Sequence, residues 1–123
     1  MFRYFIAFLC SILVSCSAVS PKAKVILIAG SDSHPLGAHE FLAGCNLLKS
    51  KLDEAMGDKL EIVLVKNNWP EDESIFDGAS AIVVYSDGRA SHPIRFKAEF
   101  IGKLMDRGVG LGMLHYACDV HAG

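Results

Sequence analysis

Four short apolar runs constrain this chain more than anything else in it. KVILIAG (24–30), EIVLVKN (61–67) and SAIVVYSDG (80–88) are rich in β-branched residues and each stops at glycine or polar turn residues. They lack the apolar–polar alternation of a strand with one wet face. An unbroken apolar run fits a strand covered on both faces, as in a parallel sheet. GVGLGMLHY (108–116) is a fourth instance, weakened by its glycines.

The segments between them carry helical spacing. Phe41, Cys45, Leu48, Leu52 and Ala55 recur at four- and three-residue steps, which predicts a helix from Glu40 to Met56 ended by Gly57. SHPIRFKAEFIGKLMDRG predicts a second helix, with Pro93 at its first position, a stripe of Phe96, Phe100, Ile101 and Leu104, and Gly108 closing it. NNWPEDESIFDGA reads as a loop with one helical turn around Ser74 to Asp77. Strands alternating with helices imply an α/β, doubly wound parallel sheet. The chain stops just after the fourth run with no covering helix, so the expectation is the first part of a domain truncated at its C-terminus.

The first 20 residues read differently. A basic Arg3 precedes an apolar run from Tyr4 to Val14 and then small residues, the order of a secretory signal. About 20 apolar residues are needed to span a bilayer, and this run is shorter. LVSC (13–16) fits a lipoprotein signal with Cys16 as the lipidated residue, and CSA (16–18) fits ordinary cleavage. Export to the periplasm or cell envelope is expected either way, with membrane attachment only through the lipid. Residues 21–123 are then the domain, holding Cys45 and Cys118. An oxidising compartment permits a bridge between them, but two cysteines are not a framework, and Cys45 reads as a packed core thiol. A formal net charge of −2 over 123 residues gives no basic footprint for nucleic acid.

Ligands of open parallel sheets bind beyond the carboxyl ends of the strands. The polar residues follow that rule. Asp32, His34, His39 and Glu40 come after the first run, Asp87, Arg89 and His92 after the third, and His115, Tyr116 and Asp119 end the fourth. Each histidine also admits a structural role. His39 or His92 would cap a helix, and His115 would end a strand on one backbone hydrogen bond. Together they point to a shared polar site, and histidine suits both ligation and proton transfer. A divalent metal needs three or four ligands at about 2 Å, which His34, His39, His92 and His115 with Glu40 or Asp87 would supply. No strong zinc spacing is present. The competing reading is a metal-free pocket that hydrogen-bonds sugar hydroxyls. AGSDSHPLG lacks the glycine and lysine pattern of a nucleotide loop. The window around Cys118, HYACD, lacks the glycines of a nucleophile elbow, so even with His121 nearby the better candidate is His115.

HPLGAHEF (34–41), Trp69-Pro70, the Asp87-Gly88 and His92-Pro93 pairs, and LHYA (114–117) together resemble the ThuA-like (trehalose utilisation) domain family, over essentially everything from Lys24 onward. The resemblance implies a flavodoxin-like, three-layer fold of the class I glutamine amidotransferase-like kind. It also implies a link to carbohydrate utilisation. His34, His39, Glu40, His92 and His115 match its polar motif positions. Amidotransferases carry a cysteine at the elbow, where ThuA-like domains carry the LHYA stretch, so amidotransferase activity is not implied. On this reading His115 and His39 are the acid/base or ligand residues, Glu40 orients a histidine, and His34, Asp87, His92 and Tyr116 complete a carbohydrate pocket. The competing expectations are a non-catalytic sugar-binding module of the cell envelope and an inactive fragment.

Overall fold

The computed structural model describes residues 20–120. Cys10, the lipidation candidate Cys16 and His121 lie outside them. In chain order the elements are β1 (Ala23–Ala29), α1 (Phe41–Met56), β2 (Leu60–Val65), β3 (Ala79–Tyr85), α2 (Ala98–Asp106) and β4 (Gly110–Leu114). Single 3-10 turns occupy Glu73–Phe76, Arg89–Ser91 and His115–Cys118. The strands form one sheet in the order β2-β1-β3-β4, every pair parallel. Among the described residues no helix is long and apolar enough to cross a membrane.

The unbroken apolar run of β1 has the expected cause. β1 lies inside the sheet, with Ile26 paired to Val63 on one side and to Ile82 on the other. Its last residues, Ile26 to Ala29, are fully buried. Alternate residues point to opposite faces. Ile26, Ile28, Ile82 and Val84 pack with Ile101 and Leu104 of α2, whereas Ala29 packs with Phe41 and Cys45 of α1 against Leu64 and Tyr85. The two helices therefore cover opposite faces of the sheet, giving three layers. The Cys45 thiol is buried in the α1 layer, and burial pushes its pKa up. Among the described residues Cys45 and Cys118 are both free thiols, not bridged to each other.

Three local expectations are corrected. The fourth run is an edge strand. Among the described residues β2 and β4 are the two edges of the sheet; β2 still buries Ile62 and Val65, whereas β4, with glycine at 110 and 112, has no buried residue and Leu114 is exposed. The second helix begins at Ala98 rather than near Pro93. The reason is His92, whose buried ring accepts a hydrogen bond from the Ile94 backbone N–H and donates one to the Ala117 carbonyl. Turns closed by Arg95 N–H to His92 O and Lys97 N–H to Ile94 O occupy the place of the first helical turns. Phe96 thus leaves the apolar stripe and is 80% exposed, with the Arg95 guanidinium 4.9 Å from its ring centre.

The Trp69-Pro70 motif belongs to the core. Trp69 stacks on Phe76 at 4.9 Å, and both meet Phe100 edge-on. The Trp69 indole N–H donates to Glu73, which also accepts from Lys97.

Candidate functional site

The strand order fixes where a site can form. From β1 the chain runs outward to β2 and from β3 it runs the other way to β4, so the loops after β1 and β3 part company at adjacent strand ends. Such a divergence leaves the crevice in which open α/β sheets bind ligands. His34 and His39 lie on the loop after β1. Asp87 lies just past β3, and His115 directly follows β4.

Two close approaches draw these loops together. Gly30 donates its N–H to the Tyr85 carbonyl, and a Cβ on Gly30 would lie 2.5 Å from that of Ser86. Only glycine lets the end of β1 approach β3 this closely. Likewise a Cβ on Gly88 would lie 2.7 Å from the Tyr116 carbonyl oxygen, so the loop after β3 is clamped to the turn after β4. Asn68 steadies the loop after β1 by accepting from the Ser31 N–H and donating to its hydroxyl.

Asp87 is the centre. His34 Nδ1 lies 3.4 Å from Asp87 Oδ2, His39 Nδ1 lies 3.3 Å from Oδ1, and His115 Nε2 lies 3.5 Å from Oδ1. The His39 ring is 3.9 Å from that of His34 and 4.7 Å from that of His115, centre to centre. Phe41 lies beneath His39 and His115, its ring centre within 5.9 Å of each. The Asp87 side chain is only 16% exposed, against 47%, 30% and 33% for His34, His39 and His115, so the carboxylate is sheltered while the imidazoles reach solvent. Burial pushes the Asp87 carboxyl up. Hydrogen bonds from Ser33 and His39, and then the charges of His39 and His34, outweigh it and hold the group below the usual carboxylate range.

His39 and His115 both have left-handed backbone, with φ of 57° and 62°. Such a conformation costs a non-glycine residue about 1 kcal/mol or more and persists where surrounding structure imposes it. Here it turns two rings toward one carboxylate.

An open cleft of about 460 Å³ fronts the cluster, within the span of small-molecule sites. Its walls include Ser33, His34, Asp87, Arg89, Tyr116 and Asp119. Arg89 and Asp119 are paired across it at 3.2 Å. His39 and His115 are not among the walls and reach the cleft through the Asp87 carboxylate that both contact. An ionised carboxylate touching three imidazoles can fix their tautomers, pass protons between them, or join them in holding a cation.

Two sequence candidates stand apart. His92 is buried with both ring nitrogens engaged by backbone, so it joins the Arg89–Ser91 turn to the segment before α2 and to the turn after β4. Glu40 accepts from the Gly37 N–H at 2.7 Å and closes its own loop; the carboxylate that contacts the histidines is Asp87. Cys118 is exposed and donates its thiol hydrogen to the His115 carbonyl. Tyr116 does reach the cleft. Sequence reasoning missed Ser33, whose hydroxyl lies 3.0 Å from His34 Nδ1 and hydrogen-bonds Asp87. Its signal was the hydroxyl immediately before the histidine in SDSH.

Comparison of the chain with models of known families, with characterised proteins and with solved structures finds no match.

Proposed function

We propose that this chain is an exported ThuA-like domain whose histidine–aspartate pocket binds, and acts on, a carbohydrate or sugar derivative. The observation that carries the reading is the meeting of His34, His39 and His115 on Asp87 where the loops after β1 and β3 diverge. A sugar presents hydroxyls that both donate and accept, and this edge offers a carboxylate acceptor, imidazoles of either sense and the Ser33 hydroxyl. Tyr116, at 58% exposure, gives the cleft an aromatic face for a sugar ring. His39 and His115 are the acid/base pair in this proposal, with Asp87 rather than Glu40 orienting them. The strand order β2-β1-β3-β4 is that of a flavodoxin-like sheet as far as it extends, which supports the class I glutamine amidotransferase-like assignment. The order of Arg3, apolar run and Cys16 supports export, with lipidation of Cys16 as the envelope anchor.

Calorimetric titration of the purified protein with a panel of mono- and disaccharides, trehalose included, tests the reading. One of them is expected to bind, and Asp87→Asn is expected to weaken it at least about tenfold while leaving the circular dichroism unchanged. Product analysis on the same mixtures separates an enzyme from a binding module. Equal affinity in wild type and variant would overturn the pocket.

A further inference from the structure

The distances around Asp87 are unusual for hydrogen bonds. Good N–H···O bonds span about 2.7–3.2 Å, and charged partners pull closer still. The three imidazole nitrogens stop at 3.3–3.5 Å from the carboxylate oxygens. Donor atoms held at about 2.0–2.2 Å from one tetrahedral ion are separated by about 3.3–3.6 Å. The imidazole–carboxylate distances are thus long for hydrogen bonds between charged partners and match the edges of a tetrahedral ligand set.

From this spacing we infer that His34, His39 and Asp87 form a binding site for a divalent transition-metal ion of the zinc type, with its free coordination position facing the cleft. The inference deepens the proposed function and rests on its reading of this edge as a ligand pocket. His34, His39 and Asp87 each offer one ligand atom, all within 4.8 Å of one another. Two imidazoles and a carboxylate leave one position open, the pattern of catalytic rather than structural zinc sites. The contrast with His92 is informative: its two nitrogens are taken by backbone, whereas among the described residues the ring of His39 has no hydrogen-bond partner except Asp87. Ser33, in the cleft wall beside them, hydrogen-bonds the Asp87 carboxylate, as groups around a metal ligand do. Because His34 and Asp87 line the cleft, an ion between them would meet a ligand entering it. That ligand would be a sugar hydroxyl or carbonyl, an oxygen donor that takes the one open position. His115, 3.5 Å from Asp87 Oδ1, is then the base beside the ion.

The test is titration of the purified, chelator-treated protein with Zn(II), with Co(II) uptake followed by absorption spectroscopy and Mg(II) as the competitor. One equivalent of Zn(II) is expected to bind, Co(II) to give the intense visible bands of a tetrahedral site, and excess Mg(II) not to displace either. His34→Ala, on an exposed loop, and Asp87→Asn, nearly isosteric, are each expected to lower Zn(II) affinity by more than about 100-fold while still unfolding in one cooperative transition, Asp87→Asn at a somewhat lower temperature because its carboxylate is stabilised in the fold. Failure of the folded wild type to take up Zn(II), or uptake unchanged in both variants, would overturn the metal site. Sugar titration of both the chelator-treated and the Zn(II)-loaded protein keeps the two claims apart. Sugar binding without Zn(II) uptake sinks the metal site alone, and stoichiometric Zn(II) with no sugar response sinks the carbohydrate reading alone.

Discussion

His39 Nδ1 and Asp87 Oδ1 lie 3.3 Å apart although 48 residues separate them in the chain. Their meeting depends on β1 and β3 being neighbours and on His39 adopting a left-handed backbone. Replacing His39 with alanine removes a ring from a conformation alanine resists, whereas glycine accepts it freely. His39→Gly is therefore expected to match or exceed wild type in thermal stability while losing the pocket's ligand affinity. Paired melting and calorimetry check this. A glycine variant with full affinity would place His39 outside the site.

His92 is the opposite case. Its removal leaves the Ala117 carbonyl and the Ile94 N–H buried without partners and opens a cavity. His92→Ala should cost about 2–4 kcal/mol in urea unfolding, and His34→Ala less than about 0.5 kcal/mol. Equal midpoints for the two variants would show that His92 has no structural role.

Gly30 tests the close approach of β1 to β3. A methyl group there meets Ser86 at 2.5 Å, and Ser86 is fully buried with no room to retreat. Gly30→Ala should destabilise by about 1–3 kcal/mol and also weaken ligand binding, because the loop carrying His34 and His39 moves off Asp87. Loss of stability with unaltered affinity would separate the two loops' positions from that contact.

Acid stability should depend on Glu73. The hydrogen bond from Lys97, then that from Trp69, hold its carboxyl below the usual glutamate range. A folded-state pKa below the unfolded one contributes stability that is fully present above the unfolded value, about 4.3, and lost as pH falls through the folded one. Glu73→Gln should lower the melting temperature at neutral pH and flatten its decline below about pH 5. Melting curves from pH 7 to 3 read both slopes. Parallel declines for variant and wild type would contradict the linkage.

The parts of this molecule that can be read from sequence are those set by local chemistry. Unbroken β-branched runs give β1, β2 and β3, although only β1 is fully buried along its last four residues; β2 lies at an edge and β3 buries alternate residues. The Phe41–Cys45 step marks the buried end of α1. The gathering of His34, His39, Asp87 and His115 at one edge is visible because parallel strands deliver all their carboxyl ends to the same side. What resists reading is decided by partners far along the chain. The start of α2 is set by a ring nitrogen of His92 reaching Ala117, 25 residues away, and local spacing carries no trace of that bond. β2 and β4 both lie at edges of the described sheet despite their apolar runs, and only the strand order reveals it. Glu40 sits beside His39 in sequence yet spends its carboxylate on Gly37, leaving the orienting contact to Asp87.

The most direct test of the central claim follows the imidazole nitrogens of all the histidines by long-range ¹H–¹⁵N spectra while the best-binding sugar is added. His34, His39 and His115 should shift together along one saturation curve, with His92 unmoved. A sugar that binds while leaving those three unchanged, or that moves His92 alone, would contradict a pocket organised around Asp87.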